Sequence, residues 1–429
     1  MMLLSSMMVM PKIGKPIFLS TILITLLAVI ATTSQPVAAL EYTLENHTFE
    51  LGARARLARV DAEENARAAS LLIRLRATSE WSQQFSTLFE LDSVALGWQD
   101  EFSNGEHFNG HPVIPDVAGT DLNQALLRYS PTNTLQLTLG REALNLGNQR
   151  FVGTNGFWQN EQTLDTAGFK LEFGSASNVM YRYVDNANRI NGQDAGKKLS
   201  PTDSNYAANN GIRPPQFLGD HDHNTHLVFA HFKEWDLSQI DAYYFDMEIK
   251  DAKALSNQTL GLRYEYKGRW NTLRTLAHAE LALQERTDIH NDALLQYYDL
   301  GGGVGFGSNE ITLNIQRLGE KNGVSFVTPL ASLHDHNGWA DKFLLTPSTG
   351  LRDYSLQYIW RQNPIKIDAR YHRFNTDTDN SRIGEEFDID VAYKFNRENI
   401  VLLRFADFTA SDDSYADEQR VFLMFTHNL

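Results

Sequence analysis

Thr259-Leu-Gly-Leu-Arg-Tyr-Glu-Tyr-Lys267 puts Leu260, Leu262, Tyr264 and Tyr266 on one face of an extended chain and Gly261, Arg263, Glu265 and Lys267 on the other. A strand alternates its side chains with a period of two, so this stretch lays one face on something apolar and shows the other to water. The same alternation recurs at 48–60, 69–80, 84–98, 121–130, 133–142, 164–174, 177–185, 224–234, 237–247, 258–268, 272–284, 293–307, 309–319, 351–361, 364–374, 384–396, 399–408 and 419–429. Connections between these runs are alternately short, as at Gly174-Ser-Ala176 and Gln362-Asn363, and long, as at 99–120, 143–163, 186–223, 320–350 and 409–418. A soluble sandwich has no reason to keep that parity. The reading is an all-β fold, a transmembrane antiparallel β-barrel of about 18 strands with short periplasmic turns and long extracellular loops.

The N-terminus agrees with export. Lys12 and Lys15 precede an apolar run from Ile17 to Ile30, and Val37-Ala38-Ala39 offers a small-residue cleavage site, so 1–39 reads as a signal peptide and 40–429 as a single barrel domain. The run is too short to span a bilayer as a helix, which needs about 20 apolar residues. Lipid offers no partner to an open strand edge, so a spanning protein of this kind must close its sheet. Without Lys12 and Lys15, the 38 basic residues fall to 36 against 53 acidic ones, a formal charge of −17. That charge argues against nucleic acid as a partner. Mean hydropathy is only −0.36, as expected where lumen and loops outnumber lipid-facing positions. With no cysteine, disulfides, thiolate metal sites and a lipid-anchored cysteine are excluded.

The strand phases aim Arg54, Arg56, Arg74, Arg76, Arg128, Arg263, Arg274, Arg361, Arg370 and Arg404 at the lumen, together with Lys366, Asp368, Asp388, Asp390 and Lys394. Two arrangements satisfy those phases. The arginines either pair with carboxylates and stiffen the wall, or form an electropositive constriction that attracts carboxylate solutes through bidentate guanidinium contacts. Metal and cofactor sites are not expected. His221-Asp-His-Asn-Thr-His226, His334-Asp-His336, Asp377-Thr-Asp-Asn380 and Asp412-Asp-Ser-Tyr-Ala-Asp417 read as solvated loop clusters without a full ligand set. No Gly-x-Ser-x-Gly, His-Glu-x-x-His or Walker-type loop occurs, so the chain does not read as an enzyme. Gly301-Gly-Gly-Val-Gly-Phe-Gly307 falls within a strand, where glycine allows close approach to the backbone.

Two long connections carry more specific sequence: Gly140-Arg-Glu-Ala-Leu-Asn-Leu-Gly-Asn-Gln-Arg-Phe-Val-Gly153, continued by Trp158-Gln-Asn-Glu-Gln-Thr-Leu-Asp165, and Phe326 to Asp353 with Leu333-His-Asp-His-Asn-Gly-Trp-Ala-Asp-Lys-Phe343 at its centre. Both resemble the alginate export family of outer-membrane porins, as do Tyr371-His-Arg-Phe374 and Ala406-Asp-Phe408. The resemblance implies a monomeric eighteen-stranded barrel in the outer membrane of a Gram-negative bacterium. It also implies one inward loop carrying Arg141, Arg150, Asn160, Gln162 and Asp165, and a second carrying Asn337, Trp339, Asp341 and Lys342. The expected function is a passive channel for anionic solutes. Export of an alginate-like polyuronate, with periplasmic secretion proteins as partners, leads; an uptake porin for small organic acids or oligosaccharides is the alternative. A barrel enzyme and an adhesive barrel trail both.

Overall fold

The computed structural model describes residues 40–288 and 293–429; the expected signal peptide, 1–39, lies outside them. From His47–Asp61 to Glu418–His427, eighteen long strands pair antiparallel with their neighbours in the chain, and the first pairs with the last. Leu40–Leu44 adds a short strand ahead of them. Closure leaves no edge among the eighteen, which is what a lipid environment demands. Every expected strand is present, with ends shifted by a few residues at most. The largest extensions are informative. Asn65–Glu80 begins early through Ala66 and Ala68, which are buried against Val60 and Phe422, so the first outer connection shrinks to 62–64. Asp220–Trp235 begins inside a polar run read as loop, because His221 and His223 turn inward and are buried.

The parity of connections holds with qualification. One end carries the turns 81–84, 130–134, 174–176, 236–237, 271–272, 307–308, 363–364 and 395–398. The other carries 98–118, 143–162, 189–219 and 319–350, but also the compact 62–64, 250–256 and 376–381. Trp81, Trp235 and Trp270 stand exposed at the short-turn end, where an interfacial aromatic girdle belongs.

The outward face is apolar where a soluble protein would be polar. Leu260, Leu281 and Leu313 are about 60% exposed, and Leu139, Leu262, Leu356, Tyr371, Phe387 and Phe425 continue the belt around the wall. Inward positions are polar, or are covered by loops. The glycine run has a local purpose. A Cβ on Gly301 would strike the His278 ring at 2.3 Å, and one on Gly305 the Arg274 guanidinium at 2.6 Å. The inward-facing glycines therefore let both side chains lie flat against the neighbouring strand. Leu313→Arg is expected to destabilise the barrel by about 2–4 kcal/mol, since it puts a charge in the lipid belt. Thr312→Arg, one residue away but lumenal, is expected to stay near wild type. Urea unfolding in detergent distinguishes the two.

Candidate functional site

Four outer connections fold into the barrel, and two of them meet across it. Loops 143–162 and 319–350 are joined by a parallel bridge between Val152 and Leu330 and by backbone donation from Gly153 to Leu330 at 2.9 Å. Gln162 Nε2 donates to the carbonyls of Gly153 (2.7 Å) and Leu330 (2.9 Å), and Asn155 Nδ2 to that of Ala331 (3.0 Å). Arg189, from loop 189–219, donates to Gln162 Oε1 and to the Pro329 carbonyl. Asn160 donates to the Val117 carbonyl of loop 98–118. Phe151, Val152, Phe326, Leu330, Trp339 and Phe343 pack with the inward wall residues Phe245, Tyr297, Phe374 and Phe408 into one buried cluster. This apolar mass sits against the inner face of the wall.

Wall arginines hold it. Arg56 pairs with Asp116 at 2.6 Å with both side chains essentially sealed from solvent, and also donates to the Phe157 carbonyl. Arg54 Nη1 donates to the carbonyls of Gly156 (2.9 Å) and Phe157 (2.8 Å). The centre is an alternating chain of guanidinium and aromatic groups. Arg56 lies 4.7 Å and Arg404 4.4 Å from the Phe157 ring centroid, while Arg404 lies 3.8 Å and Arg370 4.6 Å from that of Trp339. Each such contact, once desolvated, contributes on the order of 1–2 kcal/mol, and together they tie both loops to three strands.

Most of the remaining arginines are paired. Arg74 reaches Asp92 (2.5 Å) and Glu161 (2.8 Å), and Arg76 reaches Glu90 (2.5 Å). Arg263 meets Glu265 (3.0 Å), Glu280 (3.0 Å) and Asp299 (3.2 Å), and Arg404 meets Asp390 (2.7 Å). Arg274 and Arg361 share Glu310 at the short-turn mouth, at 4.0 and 3.4 Å. The Arg128 side chain has no ion pair or hydrogen bond among the described residues. Arg370 keeps only long contacts to Asp368, 3.3–3.5 Å, and is partly open to the lumen. Carboxylates match cations through much of the wall, as the wall-stiffening arrangement requires.

Of the expected inward-loop residues, Arg150 is buried in loop 143–162 against Tyr297. Asn337 Nδ2 donates to Gln316 (2.8 Å) and Asp353 (3.1 Å). Asp341 accepts from Arg420 (2.6 Å) and pairs with His334 (2.7 Å), and Lys342 donates to Glu418 (2.5 Å). Burial alone would raise the Asp341 carboxyl; His334 and Arg420 bring it below its ordinary value. Arg141 and Asp165 are a correction. They face each other across two strands, on the outward parity of Leu137 and Leu139, and pair at 2.7 Å on the outer wall. The polar run they belong to ends a strand before the loop begins, so the pair is turned away from the lumen. Asp116, Phe157, Arg189 and Arg420 were not anticipated. Arg420 alone had a readable signal, since it alternates with the outward-facing Val421 and Leu423. Among the described residues, the one acidic group close enough to suggest a cation, Glu90, Asp92 and Glu161, already surrounds Arg74.

No family model matches the sequence, and no curated protein matches it either. Solved structures do. Acinetobacter baumannii OccAB4 superimposes with a TM-score of 0.68 at 11% identity, covering 92% of this chain and 99% of its own. Pseudomonas aeruginosa OccK1 (OpdK) gives 0.64 at 12%, covering 90% and 100%. P. aeruginosa OpdK solved with vanillate gives 0.63 at 12%, with the same coverage. The shared property is the fold, a closed antiparallel β-barrel. The alginate export resemblance gains no support from these matches.

Three outcomes are expected. Asp116→Ala should cost about 3–5 kcal/mol, because it strands a buried guanidinium; Arg56→Met with Asp116→Leu should recover much of that loss in heat unfolding. Arg263→Glu would add a carboxylate to a cluster of three, so heat stability should fall while ion preference hardly moves. The third concerns His336, in loop 319–350, whose pKa is lowered by burial, and by Arg150 beside it, to about 3 from 6.5. The unfolded chain therefore takes up the proton first, so the contribution of neutral His336 is full above about pH 6.5 and is lost as pH falls toward 3. His336→Gln should flatten the fall in melting temperature between pH 7 and pH 4.

Proposed function

We propose that the chain is a passive uptake channel of the outer membrane for small anionic solutes, organic acids foremost. One observation carries this reading: the Arg56–Phe157–Arg404–Trp339–Arg370 chain stands where the two inward loops meet, and its last guanidinium is partly open to the lumen. A guanidinium beside an aromatic face suits a carboxylate carried on a small ring or short chain. Vanillate, the molecule solved with the similarly folded OpdK, is an aromatic carboxylate. Below this level the cations outrun their partners. Arg361 faces Lys366 and Arg269 faces Arg274 across adjacent strands, opposed like charges that a sheet ordinarily avoids. Such a mouth attracts anions, and binding at several weak sites lets them leave again.

Polymer export is the weaker reading. Loops 143–162 and 319–350 are fastened to each other by backbone bonds, whereas a polyuronate needs a continuous passage. Planar-bilayer recordings of the mature chain test the proposal. Anion preference in a potassium chloride gradient, with current noise or block on adding millimolar aromatic carboxylate, is the expected result. Arg370→Glu should shift the reversal potential toward cations, with a smaller loss of heat stability than Arg263→Glu, because Arg370 has only long contacts to one carboxylate. Cation preference in the wild type at neutral pH would overturn the reading.

A further inference from the structure

A second arginine group stands on the opposite surface of the wall. Arg317 and Arg352 face each other directly across adjacent strands, and Arg373 lies on the next strand opposite Tyr354. All three have outward parity. Arg317 follows Leu313 and Ile315, Arg352 precedes Tyr354 and Leu356, and Arg373 follows Tyr371, with Leu313, Ile315, Leu356 and Tyr371 exposed on the lipid side and Tyr354 half-buried. The guanidinium groups thus stand one outward position above the apolar belt, at the long-loop end. That is the height of the outer leaflet's headgroups.

Their neutralisation is incomplete. Arg317 and Arg352 share one carboxylate, Asp377, at 2.6 and 2.9 Å, and that carboxylate is almost fully covered by them. Arg373 directs only Nε to a protein acceptor, Asn375 Oδ1 at 3.3 Å, and its terminal nitrogens have no partner among the described residues. Glu385, opposite Arg373 in the register, is engaged by Arg382. Asp379 keeps its charge but is held by Thr376 and Ser381 within its own turn, with no ion pair to the three arginines. Elsewhere on the outer rim the accounting differs. Arg59 and Arg67, also opposed, have a carboxylate each, Asp61 and Glu101, and Arg141 has Asp165. The Arg317–Arg352–Arg373 group therefore sets three guanidiniums around one shared carboxylate on the lipid-facing wall of a chain whose net charge is strongly negative.

We propose that Arg317, Arg352 and Arg373 bind the phosphate of a phosphorylated glycolipid in the outer leaflet. Three adjacent strands span about 10 Å, so the open terminal nitrogens of Arg373, with the Nη protons that Arg317 and Arg352 leave unused, can take up the phosphate oxygens while acyl chains lie along Ile315, Leu313 and Leu356 below. The proposal uses the barrel's place in the membrane and not the solute it passes.

The test is native mass spectrometry of the mature chain in detergent, titrated with bisphosphorylated lipid A, with dephosphorylated lipid A and with inorganic phosphate. Wild type should retain the phosphorylated lipid, and Arg352→Gln with Arg373→Gln should weaken retention by roughly fivefold per arginine removed. Arg141→Gln should retain it as wild type does. Should the double variant lack the heat-modifiable gel migration of a folded barrel, Arg373→Gln alone gives the reading, with a loss of about fivefold. Equal retention of phosphorylated and dephosphorylated lipid, or equal retention by wild type and variant, would overturn the proposal. So would displacement of the lipid by inorganic phosphate at equal concentration, which would mark a site for the free anion.

Discussion

Lipid has no hydrogen-bond partner to offer, and nearly every feature of this molecule follows from that. The sheet must close, so the first strand pairs with the last. Its outer surface must be apolar, so polar groups are driven to the inner surface, the long-loop rim and the turns. A barrel of eighteen strands is too wide for inward side chains alone to fill. Loops 143–162 and 319–350 fill it instead, and they bring backbone carbonyls into a dry interior, where each needs a donor. Arginine is the side chain that reaches furthest with the most donors. Arg54, Arg56, Arg189 and Arg286 all spend guanidinium protons on loop carbonyls.

This gives the lumenal arginines two different duties. Arg74, Arg263 and Arg182 sit among carboxylates and hold strand to strand. Arg370, Arg361 and Arg274 are more open and have fewer or longer contacts. Pairing with carboxylates is thus the rule along the wall, while Arg370, Arg361 and Arg274 keep part of their donors open.

Period-two patterning made the strands legible because only two faces exist, and a single outward leucine settles the direction of each neighbour. Arg263 could be aimed at the lumen from Leu262 and Tyr264 alone. Direction is not partnership, however. Nothing near Arg263 in the chain points to Glu280 or Asp299, which reach it through register with two further strands. The loops lack a period altogether, so Phe157 and Asp116 carried no signal of their burial. Arg141 shows the reverse failure. Its parity with Leu137 and Leu139 was readable, but its place within a recognised motif drew it into the loop.

Part of the grip on the two loops comes from the strands at the barrel's seam. Arg54 and Arg56, on the first strand, hold loop 143–162, and Arg56 also donates to Met424 Sδ on the last. Arg420 and Glu418, on the last strand, hold Asp341 and Lys342 of loop 319–350. Part of the anchorage of loop 319–350 therefore forms only when both ends of the chain have come together. Closing the cylinder thus also completes the fastening of the loops inside it, and a barrel lacking its last strand lacks that share of the fastening.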